Sequence, residues 1–291
     1  MVNSVERAAG DGTGSMAADR RRPGPKNRWR EVALPSEHGG WSLTAEPVVL
    51  GLIAAWSWAG SALGVAAVVA FVARTPVKVV LVDRWRGRRL DRTVLAARIA
   101  VAELAVIIGL AVLAVLAADG AGSWGGTGHW FWVPLAIAGP LIAVELWFDM
   151  RSRSRRLIPE LAGTVGIGSV VAAIVLVGGG SVALAAGLWT VVSARAVAAI
   201  PYARTQVIRA HDRPVSLWPS DLAQLVAIGA AALAGLVDAI PAAPVAALAA
   251  IAVFNLVAVR TAPRRAVVIG IQQVIFGIAL VVVTALAVTG T

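Results

Sequence analysis

Charged side chains recur near one end of several long apolar segments of this sequence. Arg74 and Lys78 are four residues apart, as are Glu145 and Asp149, so each pair shares one face of a helix. An ionisable group inside a membrane helix costs roughly 2.5–3.5 kcal/mol, and such residues are functional candidates by default. The plain alternative is that these residues only pair with one another and hold helices together.

Two kinds of chemistry fit these residue types. Arginine binds phosphate through two parallel hydrogen bonds and lysine acts as a point charge. The predicted anion-binding residues are Arg74, Lys78, Arg195, Arg204 and Arg209. Carboxylate oxygens are the ligands that hard divalent cations such as Mg²⁺ prefer. The predicted magnesium ligands are Asp83, Asp91 and Asp149, and the predicted catalytic carboxylates are these three and Glu145.

A further polar cluster, Ser36-Glu37-His38-Gly39-Gly40-Trp41, precedes the first apolar segment. Glu37 and His38 are of types that bind a metal or pass protons, and with Glu160 they complete the predicted polar sites. The alternative for this cluster is an interfacial anchor, with Trp41 at the level of the lipid headgroups.

Nine apolar segments must position these residues, and the length of each is close to the roughly 20 residues that a helix needs to cross a bilayer. They cover approximately residues 41–58, 60–82, 94–118, 129–148, 157–178, 181–202, 217–237, 241–259 and 265–289. The chain is 58% hydrophobic and 14% charged, whereas soluble domains carry about 25% charged residues. We therefore predict an all-α domain of nine transmembrane helices over residues 37–291, after a disordered, basic cytoplasmic tail over residues 1–36.

The placement of the basic residues predicts the orientation. Lys and Arg concentrate in the tail and in segments 83–93, 149–156, 203–216 and 260–264, and the intervening links contain none. Cytoplasmic loops carry the Lys/Arg excess, which predicts an inside N-terminus and an outside C-terminus in a bacterial cell membrane. The net charge of +10 is thereby explained without nucleic acid, and membrane lipids are the expected partners. The oligomeric state is left open.

Two sequence features link distant helices. Ala73-Arg74-Thr75-Pro76-Val77 resembles Ala203-Arg204-Thr205-Gln206-Val207, and both lie near the inner ends of helices that run in the same direction. Repeated units commonly build membrane sites at their interface, so we predict a joint anion site. Arg195 lies well inside the sixth segment and should have a carbonyl or acidic partner on a neighbouring helix. The acidic candidates are Glu103, Glu145 and Glu160.

The segment Pro35-Ser-Glu37-His38-Gly39-Gly40-Trp41 resembles the opening of the YwiC-like membrane proteins. Three further features fit the same family. They are Arg74, the loop from Asp83-Arg84 to Asp91-Arg92, and Arg153-Ser154-Arg155-Arg156-Leu157-x-x-Glu160-Leu161. The resemblance spans roughly residues 33–285. It implies a bacterial integral membrane protein and no particular activity.

A more distant resemblance is to the UbiA-type prenyltransferases, which have nine helices and an inside N-terminus. Their Asp-rich motifs after helices 2 and 6 hold magnesium on a prenyl diphosphate. In this chain the first motif is reduced to Asp83 and Asp91, with Arg86 in place of the middle acid, and the second motif is reduced to Asp212. The resemblance implies a UbiA-like fold and a transferase that binds an isoprenoid or lipid phosphate at the cytoplasmic face.

Two other classes of function remain open. Glu46, Glu103 and Glu145 lie inside predicted spans and would form the relay of a transporter or proton-coupled carrier. A non-catalytic membrane scaffold is the third hypothesis.

Overall fold

The computed structural model describes residues 32–35, 38–120 and 127–290, which contain helices and no strand. Nine helices of 17–30 residues follow one another within these ranges. In chain order they are α1 (His38–Ala54), α2 (Trp58–Trp85), α3 (Asp91–Gly120), α4 (Trp132–Met150), α5 (Leu157–Val177), α6 (Val182–Arg209), α7 (Trp218–Leu236), α8 (Ala242–Ala258) and α9 (Ala266–Thr289). Each of the nine predicted apolar segments is thus helical. Most of the predicted tail lies outside the described residues.

Seven of these helices, all except α1 and α8, are long and apolar enough to cross a membrane. The remaining two have 17 residues each. At 1.5 Å per residue they extend about 25 Å, somewhat less than the hydrocarbon core of about 30 Å. The chain is a multi-pass integral membrane protein, and the passage of α1 and α8 through the whole bilayer stays a prediction.

Exposed tryptophans mark the two ends of the helices. One group lies beside links without Lys or Arg and consists of Trp56, Trp58, Trp130 and Trp132. The other group lies beside the basic links and consists of Trp85, Trp147 and Trp218. Tryptophan concentrates at membrane–water interfaces, so both groups lie where a bilayer surface would be. The basic end of the bundle is formed by links 86–90, 151–156, 210–217 and 259–265.

Helix α5 forms the centre of the bundle. Fourteen of its 21 residues are buried, including the whole run 169–177, and it packs against α1, α2, α4 and α6. Helix α3 is instead peripheral. Among the described helices it packs extensively only along α2, and most of its length is exposed. The four helices α2–α5 therefore form one half of the bundle, with α3 as a loosely held outer wall.

Two helix boundaries differ from the predicted ones for local reasons. Helix α6 continues to Arg209, past the predicted end at residue 202, because Gln206 is fully buried and donates to the carbonyl of Ala258 at 2.8 Å. Helix α2 begins at Trp58 because the side chain of Ser57 accepts the amide of Gly60 at 2.9 Å, a standard N-cap. Hydropathy does not register either interaction.

The orientation can be tested on two matched loop residues. Ser152 lies in a basic link and Asp238 in a link without Lys or Arg. Both are exposed and both have positive φ. Because the chain has no cysteine, Ser152→Cys and Asp238→Cys each create a unique thiol. An impermeant maleimide added to intact cells should label the Asp238→Cys variant alone, since basic loops face the cytoplasm. Labelling of the Ser152→Cys variant in intact cells would refute the orientation.

Candidate functional site

The guanidinium of Arg74 on α2 is held by two carboxylates of α4. Its Nε and Nη2 donate to the two oxygens of Asp149 at 3.0 and 3.3 Å. Its Nη1 lies 2.9 Å from Oε1 of Glu145. The side chain of Asp149 is fully buried, whereas that of Glu145 keeps 14% exposure. The face of α2 that carries the predicted cations therefore meets the face of α4 that carries the predicted acids.

Lys78, one helical turn after Arg74, completes this arrangement. Its Nζ donates to the hydroxyl of Ser154 at 2.8 Å and lies 3.6 Å from Oδ1 of Asp149. We call Arg74, Lys78, Glu145 and Asp149 the ion cluster. It contains two cations and two carboxylates, so it is electrically balanced as it stands.

A cavity of about 500 Å³ adjoins the ion cluster. Its walls come from α1 to α5, with one residue of α6, and they are mainly apolar. The larger apolar lining residues are Leu43, Phe71, Val77, Val101, Leu104, Ile107, Ile142, Leu146, Ile167 and Ile200. Ionisable groups line it at the basic end, where Arg74, Glu145 and Glu160 reach it. The cavity is thus amphipathic, with a charged end and a long apolar part.

The cavity has an open side between α3 and α4. Both helices line it, yet α3 packs along α2 and makes no extensive contact with α4. Val101 and Leu104 on α3 line the cavity and are still 68% and 55% exposed, and Ile142 on α4 is 40% exposed. Both helices are long and apolar enough to cross a membrane. In a bilayer, the apolar part of the cavity would therefore open toward hydrocarbon between them.

Arg204 approaches the same cavity through Glu160. Its Nη1 lies 3.5 Å from Oε2 of Glu160 and donates to the backbone carbonyl of Arg155 at 2.6 Å. Glu160 itself lines the cavity. The two arginines of the sequence repeat thus reach one cavity, Arg74 directly and Arg204 through a carboxylate.

The predicted magnesium ligands Asp83 and Asp91 lie at the α2–α3 turn. The carboxylate of Asp83 is 1% exposed and is bound by Arg92 and by the hydroxyl of Thr93 at 2.6 Å. Asp91 is exposed at the first position of α3. In the described part of the chain no group of three acidic or histidine side chains is arranged to hold a metal. These residues do not fit a shared magnesium site, and magnesium binding stays a prediction.

Arg195 lies in the other half of the bundle and does not line the cavity. It is 1% exposed and donates to the side-chain oxygen of Gln273 on α9 at 3.0 Å, and also to the backbone carbonyl of that residue. Glu46 on α1 attracts it electrostatically. The predicted carbonyl partner is confirmed. The prediction of its acidic partner was wrong for all three candidates, Glu103, Glu145 and Glu160, since the acid that acts on it is Glu46.

Three other predicted residues are placed away from the cavity or outside the description. Arg209 donates to the carbonyls of Val259 and Thr261, which follow α8, and so satisfies backbone groups that a helix end leaves unpaired. Glu37 lies outside the described residues. His38 begins α1, and its side chain also lies outside the description.

Two glycines that the sequence analysis passed over create room for buried acids. A Cβ on Gly163 of α5 would overlap the carboxylate of Glu145, and a Cβ on Gly277 of α9 would overlap that of Glu46. Each of these acids also interacts with an arginine from another helix. Nothing in the sequence distinguishes these two among its 29 glycines.

Comparison with known proteins gives one match. The family model described as YwiC-like protein matches residues 34–175, which include α1 to α5, the whole ion cluster and nearly all of the cavity wall. Neither the curated proteins nor the solved structures contain a match, so the likeness to UbiA-type prenyltransferases stays a prediction. Over residues 34–175 the chain is therefore similar to the YwiC-like protein family.

Proposed function

We propose that the chain binds an isoprenoid or another lipid with a phosphate head, with the head at the ion cluster and the tail in the cavity. The observation that carries this proposal is the amphipathic cavity, apolar along most of its wall and lined by Arg74, Glu145 and Glu160 at one end. Such a combination of an apolar pocket with a few convergent polar groups is the usual sign of a ligand site. Its volume of about 500 Å³ is within the common range of roughly 300–1,000 Å³.

The charges around the cavity favour an anionic head. Arg74 presents a guanidinium to the cavity, and guanidinium groups bind phosphate with two parallel hydrogen bonds. The link after α4 adds the exposed residues Arg153, Arg155 and Arg156 at the same end of the bundle. Basic segments at a membrane surface attract anionic lipid heads by about 1 kcal/mol per residue. A phosphate-headed lipid would therefore be concentrated where the cavity has its charged end.

The open side of the cavity favours a ligand that comes from the membrane. A lipid tail can pass between α3 and α4 without leaving hydrocarbon, because this gap is bordered by exposed apolar residues such as Val101 and Ile142. The enzymatic form of the proposal is a transfer reaction on the bound lipid, in which Arg74 and Arg204 stabilise charge on a departing diphosphate. Binding alone would serve a non-catalytic role equally well.

Binding of farnesyl phosphate to the purified protein in detergent tests the proposal. Titration calorimetry should give saturable binding, and farnesol and inorganic phosphate should each bind at least about tenfold more weakly, because each lacks half of the ligand. Parallel titrations with Mg²⁺ and with EDTA test the magnesium prediction. Equal affinities for farnesol and farnesyl phosphate would show that the charged end of the cavity does not bind the phosphate. A lack of saturable binding would refute the proposal.

Filling the cavity from its open side should prevent binding. Leu104 lines the cavity and is already 55% exposed, so Leu104→Trp can be made without disturbing a packed core. We expect the affinity for farnesyl phosphate to fall at least about tenfold with little change in melting temperature. Leu116→Trp is the matched control, since Leu116 lies on the same helix, is 62% exposed and does not line the cavity. Similar affinities for the two variants would place the tail elsewhere.

A further inference from the structure

The ion cluster is electrically balanced, so the binding of an anion must be accompanied by a change in the contacts of its charged groups. Arg74 already donates to Asp149 and contacts Glu145, and Lys78 is bound by Ser154 and lies near Asp149. A phosphate therefore cannot gain the Arg74 guanidinium without displacing a carboxylate from it. This step rests on the proposed function, because it concerns the same cavity and the same class of ligand.

Glu145 is the carboxylate in the position to exchange. It lines the cavity, keeps 14% exposure and meets Arg74 through one oxygen at 2.9 Å. Asp149 does not line the cavity, is fully buried, and receives both a bidentate pair of hydrogen bonds from Arg74 and the attraction of Lys78. An anion that arrives from the cavity meets Glu145 before Asp149, because only Glu145 lines the cavity.

A displaced Glu145 cannot keep its charge at low cost. With a bound phosphate the cluster would hold two cations against at least three negative charges, and an uncompensated buried charge is strongly unfavourable. A nearby like charge favours the protonated form of a carboxyl group. Among the described residues, Arg74 contacts Glu145, and Lys78 from α2 and Asp149 on the same helix belong to the same ion cluster. Glu160 from α5 lines the same cavity and already pairs with Arg204.

We propose that binding of the lipid phosphate is coupled to the uptake of one proton by Glu145. The phosphate replaces the Glu145 carboxylate on Arg74, and the carboxylate takes a proton from the solution at the basic end to become a neutral acid. With Glu145 neutral, the negative charge in the phosphate-bound cluster exceeds the positive charge by less than it would with Glu145 ionised. Gly163 provides the space beside this side chain, since a Cβ there would overlap the carboxylate.

Proton uptake can be counted by calorimetry. Farnesyl phosphate is titrated into the full-length protein at pH 8 in two buffers that differ in ionisation enthalpy. The wild type should take up about one proton per lipid, and by linkage its affinity should fall about tenfold for each unit of rising pH. Glu145→Gln should abolish most of this uptake. It should also raise the affinity at pH 8 about tenfold, since a neutral amide competes less for Arg74.

Asp221→Asn is the control, because it removes one carboxylate from an ion pair with Arg260 on the other half of the bundle. It should leave both proton uptake and affinity unchanged. Binding without proton uptake in the wild type, or full uptake in Glu145→Gln, would overturn the coupling and leave the proposed function standing. Failure of the wild type to bind farnesyl phosphate would overturn both. The pH dependence of wild-type affinity decides the matter even where Glu145→Gln does not fold, since a flat profile contradicts the coupling.

Discussion

Arg74→Ala should abolish most of the affinity for farnesyl phosphate and also destabilise the protein. The head would lose its guanidinium contact, at a cost of at least about tenfold in affinity, about 1.4 kcal/mol. Removal of the cation also leaves Glu145 and Asp149 together without their main partner. Breaking a buried ion pair in this way typically costs about 3–5 kcal/mol, so a lower melting temperature in detergent should accompany the loss of binding.

Two further variants separate these effects. Arg74→Lys keeps the charge and should recover much of the stability, but it lacks the planar fork that binds phosphate bidentately, so its affinity should remain reduced. Arg84→Ala is the control for loss of a positive charge on the same helix, because Arg84 is exposed at the basic end. An affinity of Arg74→Ala equal to that of Arg84→Ala would contradict the proposed role of Arg74.

Arg195→Leu should lower the melting temperature strongly without involving the cavity. The guanidinium is 1% exposed, and its loss would leave Glu46 and the polar groups of Gln273 buried without it. We expect about 3–5 kcal/mol of destabilisation, measured by thermal unfolding in detergent. Glu46→Leu combined with Arg195→Leu should be more stable than Arg195→Leu alone, since it leaves no unpaired charge.

Arg260→Leu provides the comparison for this second prediction. Arg260 also makes a bidentate ion pair, with Asp221, but its side chain is 52% exposed. Exposed pairs contribute little because water screens them, so this variant should melt close to the wild type. If Arg195→Leu melted as high as Arg260→Leu, the guanidinium of Arg195 would have to reach water.

The apolar segments could be predicted from the sequence because a membrane helix requires about 20 apolar residues in a row. Their ends were less predictable, since they depend on single hydrogen bonds. The side chain of Ser57 caps α2, and Gln206 extends α6 by bonding to Ala258 on another helix. Neither partner is visible to a search for apolar runs.

The two pairs of residues that form the ion cluster could each be predicted from the sequence, but their contact could not. Spacing of four residues placed Arg74 with Lys78 on one face and Glu145 with Asp149 on another, but it could not show that α2 and α4 meet there. That meeting depends on which helices are neighbours in the bundle. The same limit explains the error at Arg195, whose partner Gln273 comes from the last helix of the chain. Asp83 differs, because its partner Arg92 is close in the sequence, across the turn between α2 and α3.

The three acids of the carrier hypothesis lie in different surroundings. Glu46 lies against Gly277 of α9 and near Arg195, Glu145 belongs to the ion cluster, and Glu103 lies on the outer helix α3. A relay through all three would have to pass between both halves of the bundle. The amphipathic cavity beside the ion cluster supports a binding role more directly.

Photocrosslinking tests the central claim, that a lipid tail occupies the cavity while its phosphate lies at Arg74. A farnesyl phosphate analogue with a diazirine in its tail would be irradiated with the protein in lipid nanodiscs, and the labelled residues identified by mass spectrometry. We predict labelling of lining residues such as Leu104, Ile107 and Ile142, competed by unlabelled farnesyl phosphate and lost in Arg74→Ala. Labelling that spreads over lipid-facing residues outside the cavity, such as Leu225 on α7, and that resists competition would contradict the claim.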